Sequence, residues 1–179
     1  MKDLGLLGPQ YTYHDLARAT FVGELSYTYF NSFEEVFTAL KIGEIKQALV
    51  AITNNNAGKV GDNQERIIKE KFKQLEFFDL PIHLCIGSKV KLTLGQINKI
   101  YSHPMAIKET QSYFSNFSHL TFVPSISTAG AIEALKNNKN DQAAVISSKA
   151  AIEFNKLHLL AENIEDHENN MTRFCLIEV

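Results

Sequence analysis

The alternation of short apolar strands with segments of helical spacing constrains the fold more than any other feature of the sequence. Six apolar runs of strand length occur, and each leads through polar residues into a helical segment: residues 4–7, 27–30, 48–52, 99–101, 121–123 and 143–146. Strands that alternate with helices predict parallel sheets covered by helices. An extended apolar stretch at residues 77–87 divides the pattern into two halves, so the sequence predicts two α/β lobes with a cleft between them.

Several helix boundaries are marked by residues with known capping roles. Ser32, followed by Glu35 three residues later, has the spacing of a capping box. Pro104 suits the first position of a helix, which makes His103 the expected cap. Two further helices are expected: residues 11–22 and 62–73.

Residues with binding chemistry gather near the end of the chain, where residues 169–174 lead into the apolar strand 175–177. Thr172 offers a hydroxyl, Arg173 a guanidinium whose fixed donors suit a carboxylate, and Phe174 an aromatic ring. Strand ends are where α/β proteins usually hold ligand groups. The alternative interpretation is that threonine and phenylalanine are simply good strand formers and that the arginine is a solvated charge.

Other polar junctions point to the same kind of ligand. Ser127 and Thr128 precede a helix, whose free N–H groups and dipole attract an anion, and His103 precedes another. Residues 53–58 form an asparagine-rich loop at the end of a strand. Routine helix capping explains each serine and threonine by itself. Together with the C-terminal arginine, these junctions favour a small anionic ligand, and a carboxylate above all.

Composition narrows the class of protein. The 179 residues have a formal net charge of −2, which argues against a nucleic-acid partner or an anionic membrane surface. No apolar run approaches the roughly 20 residues of a membrane span, and the N-terminus has no signal-peptide pattern. Cys85 and Cys175 lie in apolar strand patterns, so we expect buried thiols and a cytoplasmic location. The histidines and cysteines show no metal-ligand spacing.

Four motifs are distributed along nearly the whole chain. In sequence order they are Leu7-Gly8-Pro9-Gln10-Tyr11-Thr12-Tyr13, Val50-Ala51-Ile52-Thr53-Asn54-Asn55, Tyr101-Ser102-His103-Pro104 and Asn170-Met171-Thr172-Arg173-Phe174. With them the chain resembles the prephenate dehydratase family. The resemblance implies two α/β lobes similar to those of type II periplasmic binding proteins, with the active site in the cleft. The expected lobes are residues 1–80 and 81–171, with the last strand, 172–179, at the hinge. Because the sequence ends at Val179, we expect no C-terminal ACT regulatory domain and no phenylalanine feedback within this chain.

The resemblance also implies the site. Thr172 matches the threonine that the family uses in catalysis, Asn54 and Ser102 match residues of two further motifs, and Glu109 stands where the family has a glutamine. The residues expected to bind the substrate are Arg173, Phe174, Thr12, Tyr13, Asn55, Ser127, Thr128 and His103. The substrate is then a dicarboxylate, prephenate, and neither a metal nor an organic cofactor is expected.

Departures from the family pattern fall on the same expected wall of the cleft. Tyr11, His14, Thr53 and Met105 stand where the family has a glycine, a serine, a glutamate and a glutamine, and Glu109 replaces a second glutamine. The sequence therefore leaves three alternatives to prephenate dehydration. The first is a relative that acts on arogenate, the second is one that decarboxylates prephenate without aromatisation, and the third is a non-catalytic carboxylate-binding protein. A homodimer is left open.

Overall fold

A computed structural model describes residues 2–125 and 128–179 of the chain. The chain divides into two compact units. Unit 1 consists of Met1–Ile82 and Asn169–Val179, and unit 2 is the intervening segment, His83–Glu168. Within the described residues, no helix is long and apolar enough to cross a membrane.

Unit 1 is built on one mixed sheet whose strands follow the order β2-β1-β3-β11-β5, with the short β4 paired to β3. The strands are β1 Lys2–Leu7, β2 Tyr27–Phe30, β3 Ile45–Asn54, β4 Gly58–Lys59, β5 Lys73–Pro81 and β11 Met171–Glu178. The helices are α1 Tyr13–Ala17, continued by a π-helical turn Arg18–Val22, α2 Phe33–Lys41 and α3 Asn63–Lys69. Strand β1 runs parallel to β2 and β3, and β11 runs antiparallel to β3 and β5.

The core of unit 1 lies between this sheet and α2 and α3. Strand β3 is buried continuously over residues 48–52, as expected for a strand covered on both faces. Phe37 of α2 and Ile67 of α3 pack with Val50 of β3 and Cys175 of β11 in one apolar cluster. This packing holds β3 and β11 side by side, and it therefore positions Asn54 and Thr172 at the ends of the two strands.

Unit 2 has a second mixed sheet, with the order β10-β6-β9-β7-β8. Its strands are β6 Cys85–Ser88, β7 Lys99–Ser102, β8 Thr121–Pro124, β9 Ala143–Ser147 and β10 His158–Ala161. Its helices are α4 Pro104–Lys108, α5 Thr128–Asn137 and α6 Lys149–Phe154, and residues Leu94–Gln96 form a 3-10 turn. Strand β7 is parallel to β8 and β9, whereas β6 is antiparallel to β9 and β10.

The prediction of parallel sheets is confirmed for the strand-helix repeats and is wrong for the other strands that the structure describes. The triplets β2-β1-β3 and β8-β7-β9 are parallel, but β4, β5, β11, β6 and β10 pair in the antiparallel sense. The strands β5, β6 and β11 flank the two points where the chain passes between the units. A strand that returns along a sheet without a helical crossover must run antiparallel to its neighbour.

Three helix predictions needed correction. The helix expected over residues 11–22 starts only at Tyr13, because Tyr11 has a left-handed backbone (φ 67°) and Thr12 is the cap. The helix expected over residues 62–73 ends at Lys69, because Lys71 is also left-handed (φ 60°). In the predicted capping box, Ser32 Oγ does accept from the N–H of Glu35, but the Glu35 carboxylate accepts from the N–H of Asn31.

Candidate active site

Thr172 lies at the start of β11, between two strands of the unit 1 sheet. It pairs with Asn54 at the end of β3 on one side and with Leu80 of β5 on the other. Its side chain is half-buried. Thr172 Oγ accepts a hydrogen bond from Asn54 Nδ2 at 3.0 Å, and no bond in which this hydroxyl donates is recorded among residues 2–125 and 128–179. Within these residues, the hydroxyl proton of Thr172 therefore has no acceptor.

The side-chain amide of Asn54 is the centre of this arrangement. Its Oδ1 accepts from the backbone N–H groups of Asn56 and Ala57, both at 2.8 Å. Its Nδ2 donates to Asn170 Oδ1 at 2.7 Å and to Thr172 Oγ. The N and O atoms of a side-chain amide are assigned from their hydrogen-bond partners. Because backbone N–H groups only donate, the atom that faces Asn56 and Ala57 must be the oxygen, and the nitrogen must face Thr172.

Asn55 ties the loop after β3 to the beginning of β11. Its backbone N–H donates to Met171 O at 3.0 Å, and its Oδ1 accepts from Met171 N at 2.8 Å. Its Nδ2 donates to Asn169 O. The predicted substrate-binding residue Asn55 is thus exposed but already hydrogen-bonded on both sides of its amide. These bonds fix the register that brings Asn54 opposite Thr172.

Arg173 points its guanidinium at a carboxylate of the protein. Its Nε lies 2.8 Å from Asp79 Oδ1 and its Nη2 lies 2.6 Å from Asp79 Oδ2, across the β11–β5 pair. The guanidinium lowers the pKa of the Asp79 carboxyl. Successive strand residues point to opposite faces, so Arg173 and Thr172 lie on different faces of the sheet. Both side chains of the ion pair are about half exposed, at 53% and 45%.

A buried histidine supports β3 close to the candidate site. His14 Nε2 accepts from the N–H of Ala51 at 3.3 Å, and the imidazole packs edge-on against the ring of Phe174 with centroids 5.0 Å apart. Burial lowers the pKa of His14 from 6.5 to about 3, so the ring is neutral. Phe174, which the sequence suggested for substrate binding, is a core residue with 1% exposure.

The loop after β1 supplies the two other predicted contacts of unit 1. Thr12 caps α1, since its Oγ accepts from Asp15 N at 3.4 Å and donates to Leu7 O at 3.3 Å. Tyr13 follows as the first helical residue and is half-buried. Asp15 holds the loop further by accepting from Tyr29 Oη at 2.7 Å. Burial, together with this hydrogen bond, raises the pKa of Tyr29.

Unit 2 contains the other predicted catalytic residues. Ser102 ends β7 and is fully buried, and its Oγ donates to Ile146 O at 2.8 Å. His103 caps α4, as predicted, through its Nδ1, which accepts from Met105 N at 3.2 Å. Glu109 follows the last residue of α4, is half-buried, and accepts from Asp166 N at its backbone carbonyl at 2.7 Å.

The structure therefore brings Asn54, Asn55 and Thr172 together at one strand end. It adds Asn170, a buried residue that the sequence analysis did not single out as part of the site. The sequence did contain a signal for Asn170, which is the pair Asn169-Asn170 just before Thr172. A buried side-chain amide needs hydrogen-bond partners, so an asparagine at a strand end is a candidate neighbour of the site. Ser127 and the side chain of Thr128 lie outside the described residues.

Comparison with known proteins decides the family. A family model for prephenate dehydratase matches residues 4–179. The chain belongs to the prephenate dehydratase family. It is 34% identical to a prephenate dehydratase of Lactococcus lactis subsp. cremoris over 179 residues, which is 97% of this chain and 62% of that relative. The chain thus spans less than two thirds of the length of the relative.

Solved structures agree with this membership at the level of the fold. A prephenate dehydratase from Arthrobacter aurescens in complex with L-Phe superposes with a TM-score of 0.87 at 22% identity, over 98% of this chain and 60% of that chain. A nutrient-binding protein from Burkholderia cenocepacia bound to methionine superposes with a TM-score of 0.53 at 10% identity, over 99% of this chain and 85% of that chain. The predicted likeness to both fold families is therefore confirmed.

Proposed function

We propose that this chain is a prephenate dehydratase, which converts prephenate to phenylpyruvate in phenylalanine biosynthesis. The observation that carries the proposal is the hydroxyl of Thr172 in a chain that matches the family over residues 4–179. This hydroxyl accepts from Asn54 and donates to no group in the part of the chain that the structure describes. Thr172 is also the residue that the family resemblance assigns to catalysis.

The reaction sets clear requirements for such a site. Prephenate loses carbon dioxide from its ring carboxylate and hydroxide from the opposite ring carbon, and the gain of aromaticity drives both losses. The departing hydroxide needs a proton or a strong hydrogen bond as the C–O bond breaks. A neutral threonine is a weak acid, so Thr172 acts as a hydrogen-bond donor or as a relay for a proton. We assign no step to a metal or an organic cofactor.

The roles of the remaining residues stay predictions with unequal support. The exposed side of Asn55 and the half-buried Tyr13 are consistent with contact to a ligand. Thr12 serves as a helix cap, Phe174 as core, and Arg173 as the partner of Asp79, so each already has a structural role. The assignments of Ser102, His103, Glu109, Ser127 and Thr128 rest on the family resemblance.

Product analysis tests the proposal directly. The purified chain is incubated with prephenate at pH 8, where the spontaneous reaction is slow, and the products are separated by chromatography beside an enzyme-free blank. We expect phenylpyruvate. A non-aromatic keto acid, or phenylalanine formed from arogenate but no phenylpyruvate from prephenate, would assign one of the alternative activities. No product from either compound, with tight prephenate binding by calorimetry, would indicate a binding protein.

Location and assembly are part of the same proposal. We propose a cytoplasmic enzyme, supported by the two buried free thiols, Cys85 and Cys175. Burial raises the pKa of Cys175 to about 11, which keeps this thiol protonated and unreactive. The possibility of a homodimer is tested by light scattering across a range of protein concentrations.

A further inference from the structure

The amide of Asn54 has no hydrogen-bonding capacity left for a substrate. A side-chain amide has two N–H donors and two lone pairs on its oxygen. The donors go to Asn170 and Thr172, and the lone pairs go to the N–H groups of Asn56 and Ala57. The four bonds measure between 2.7 and 3.0 Å, and the Asn54 residue is only 8% exposed. A substrate can bond to this amide only by displacing one of them.

The same four bonds set the direction of the Thr172 hydroxyl. The Asn54 oxygen is fixed by two groups that only donate, so the nitrogen must give its proton to Thr172 Oγ. A hydroxyl that accepts one bond becomes a better donor in the next, because the bonds in a chain polarise one another. Asn170 is 2% exposed and receives the second N–H of Asn54, so it prevents the amide from turning.

We infer that Asn54 is a positioning residue that keeps the Thr172 proton available to the substrate, and that Asn170 fixes Asn54 in this orientation. Neither asparagine contacts the substrate. The inference rests on the proposed function for the identity of the proton acceptor, the departing hydroxyl of prephenate. It changes the role of Asn54, which the sequence analysis predicted to be catalytic.

The substitution Asn54→Asp reverses one hydrogen bond with little change of shape. The first oxygen of the new carboxylate still accepts from the N–H groups of Asn56 and Ala57. The second oxygen replaces the nitrogen and accepts the proton of Thr172, which then no longer reaches the substrate. We expect kcat to fall by about 10²–10³, as for the loss of a transition-state donor, while KM changes much less.

Asn56→Asp is the matched control. It makes the same chemical change two residues away, at an exposed side chain that is not part of the hydrogen-bonded group. We expect its kcat to stay within about twofold of the wild-type value, as for ordinary surface substitutions. An equal loss of kcat in both variants would attribute the effect to the added charge and overturn the inference.

A double-mutant cycle separates positioning from a general disturbance of the site. If Asn54 acts through the Thr172 hydroxyl, Asn54→Asp has no further effect on kcat once Thr172→Val has removed that hydroxyl. The double variant is then as active as Thr172→Val alone. Losses that multiply would show that Asn54 has an independent role, and the inference would be wrong.

Nuclear magnetic resonance gives a readout that does not need turnover. Both side-chain N–H protons of Asn54 should exchange with solvent far more slowly than those of the exposed Asn56, and saturating phenylpyruvate should leave them protected. In Asn170→Ala, one of the two should exchange faster. Rapid exchange of the Asn54 side-chain protons in the wild-type protein would overturn the inference, and so would faster exchange of either proton when phenylpyruvate binds.

A wild-type protein that forms no phenylpyruvate would refute the proposed function, whereas the exchange measurement would still decide the orientation of the amide.

Discussion

The end of β3 in unit 1 and the end of β7 in unit 2 look alike in the sequence but differ in how their hydroxyl protons are used. Each strand ends in a buried polar residue, which is Asn54 in β3 and Ser102 in β7. In unit 1, the Asn54 amide donates to Thr172 Oγ, which keeps its proton. In unit 2, Ser102 Oγ donates its proton to Ile146 O at 2.8 Å. The direction of one hydrogen bond therefore distinguishes a hydroxyl available for chemistry from a hydroxyl that holds two strands together.

The largest expected effect tests this contrast at Thr172. Thr172→Val keeps the shape of the side chain and its preference for a strand but removes the donor. We expect kcat to fall by about 10²–10³. The midpoint of thermal unfolding should fall by about 2–4 °C, because a buried N–H of Asn54 loses its acceptor. Steady-state kinetics with prephenate and a thermal melt measure the two quantities. Near-normal kcat in a folded variant would remove Thr172 from the mechanism.

Local patterns in the sequence predicted the elements that carry the site. The apolar run after Thr172 predicted β11, and Pro104 with His103 predicted the start and cap of α4. Both depend on neighbours in sequence, and such signals are read directly from residue type and spacing. The family resemblance then supplied Asn54 and Thr172 as candidates.

The remaining features depend on strand register between distant segments. Asp79 lies 94 residues from Arg173, and the antiparallel pairing of β5 with β11 is what brings the two together. The bond from Asn54 to Asn170 spans 116 residues. A change of one residue in register would exchange the two faces of a strand, and turn chemistry does not set the register of strands joined through another unit. Local patterns in the sequence therefore could not predict these pairings.

The second prediction concerns the unit 2 side of the comparison, at Glu109. If this carboxylate lies about 5 Å from a carboxylate of the bound substrate, repulsion costs on the order of 3 kcal/mol at an effective dielectric constant near 20. Glu109→Gln should then tighten prephenate binding at neutral pH, and calorimetry measures the change. Asp166→Asn, which changes the side chain that accepts from the N–H groups of Ser112 and Tyr113, controls for a change in local packing. Unchanged affinity in Glu109→Gln would place this side chain outside the site.

The third prediction compares the histidines beside the two strand ends. Buried His14 has a folded-state pKa of about 3 against a usual value of 6.5, so the unfolded chain binds its proton first as the pH falls. The stability that His14 contributes is fully present above pH 6.5 and is lost as the pH falls toward 3. This group alone should lower the free energy of unfolding by about 1 kcal/mol between pH 6 and 5.

Urea unfolding at the two pH values measures this loss. His14→Gln, which retains an acceptor for the N–H of Ala51, should reduce it. Burial also lowers the pKa of His103, so His103→Asn should reduce the loss in the same direction but by a smaller amount. An unchanged pH dependence in His14→Gln would mean that another group is responsible.

The fourth prediction is the counterpart of the first. Ser102→Ala removes a buried hydrogen bond, so we expect the free energy of unfolding to fall by about 1 kcal/mol. Because its proton is already given to Ile146 O, the effect on kcat should be smaller than tenfold, far below that of Thr172→Val. A loss of kcat as large as that of Thr172→Val would show that the two strand ends are equivalent and would break the comparison.

The smallest expected effect concerns Arg173, the neighbour of Thr172 on the opposite face. Its guanidinium is paired with Asp79 at a half-exposed position, where an ion pair contributes about 0–1 kcal/mol. Arg173→Gln and Asp79→Asn should therefore cause similar small losses of stability, and the double variant should lose no more than either one. If the ion pair only holds β11 beside β5, the KM for prephenate stays the same in both variants. If the guanidinium binds a substrate carboxylate, Arg173→Gln raises KM, and Asp79→Asn lowers it by releasing the donors that Asp79 occupies. Opposite shifts of KM in Arg173→Gln and Asp79→Asn would show that Arg173 binds the substrate. Unchanged KM values in both variants would limit the substrate site to the face of the strand that carries Thr172.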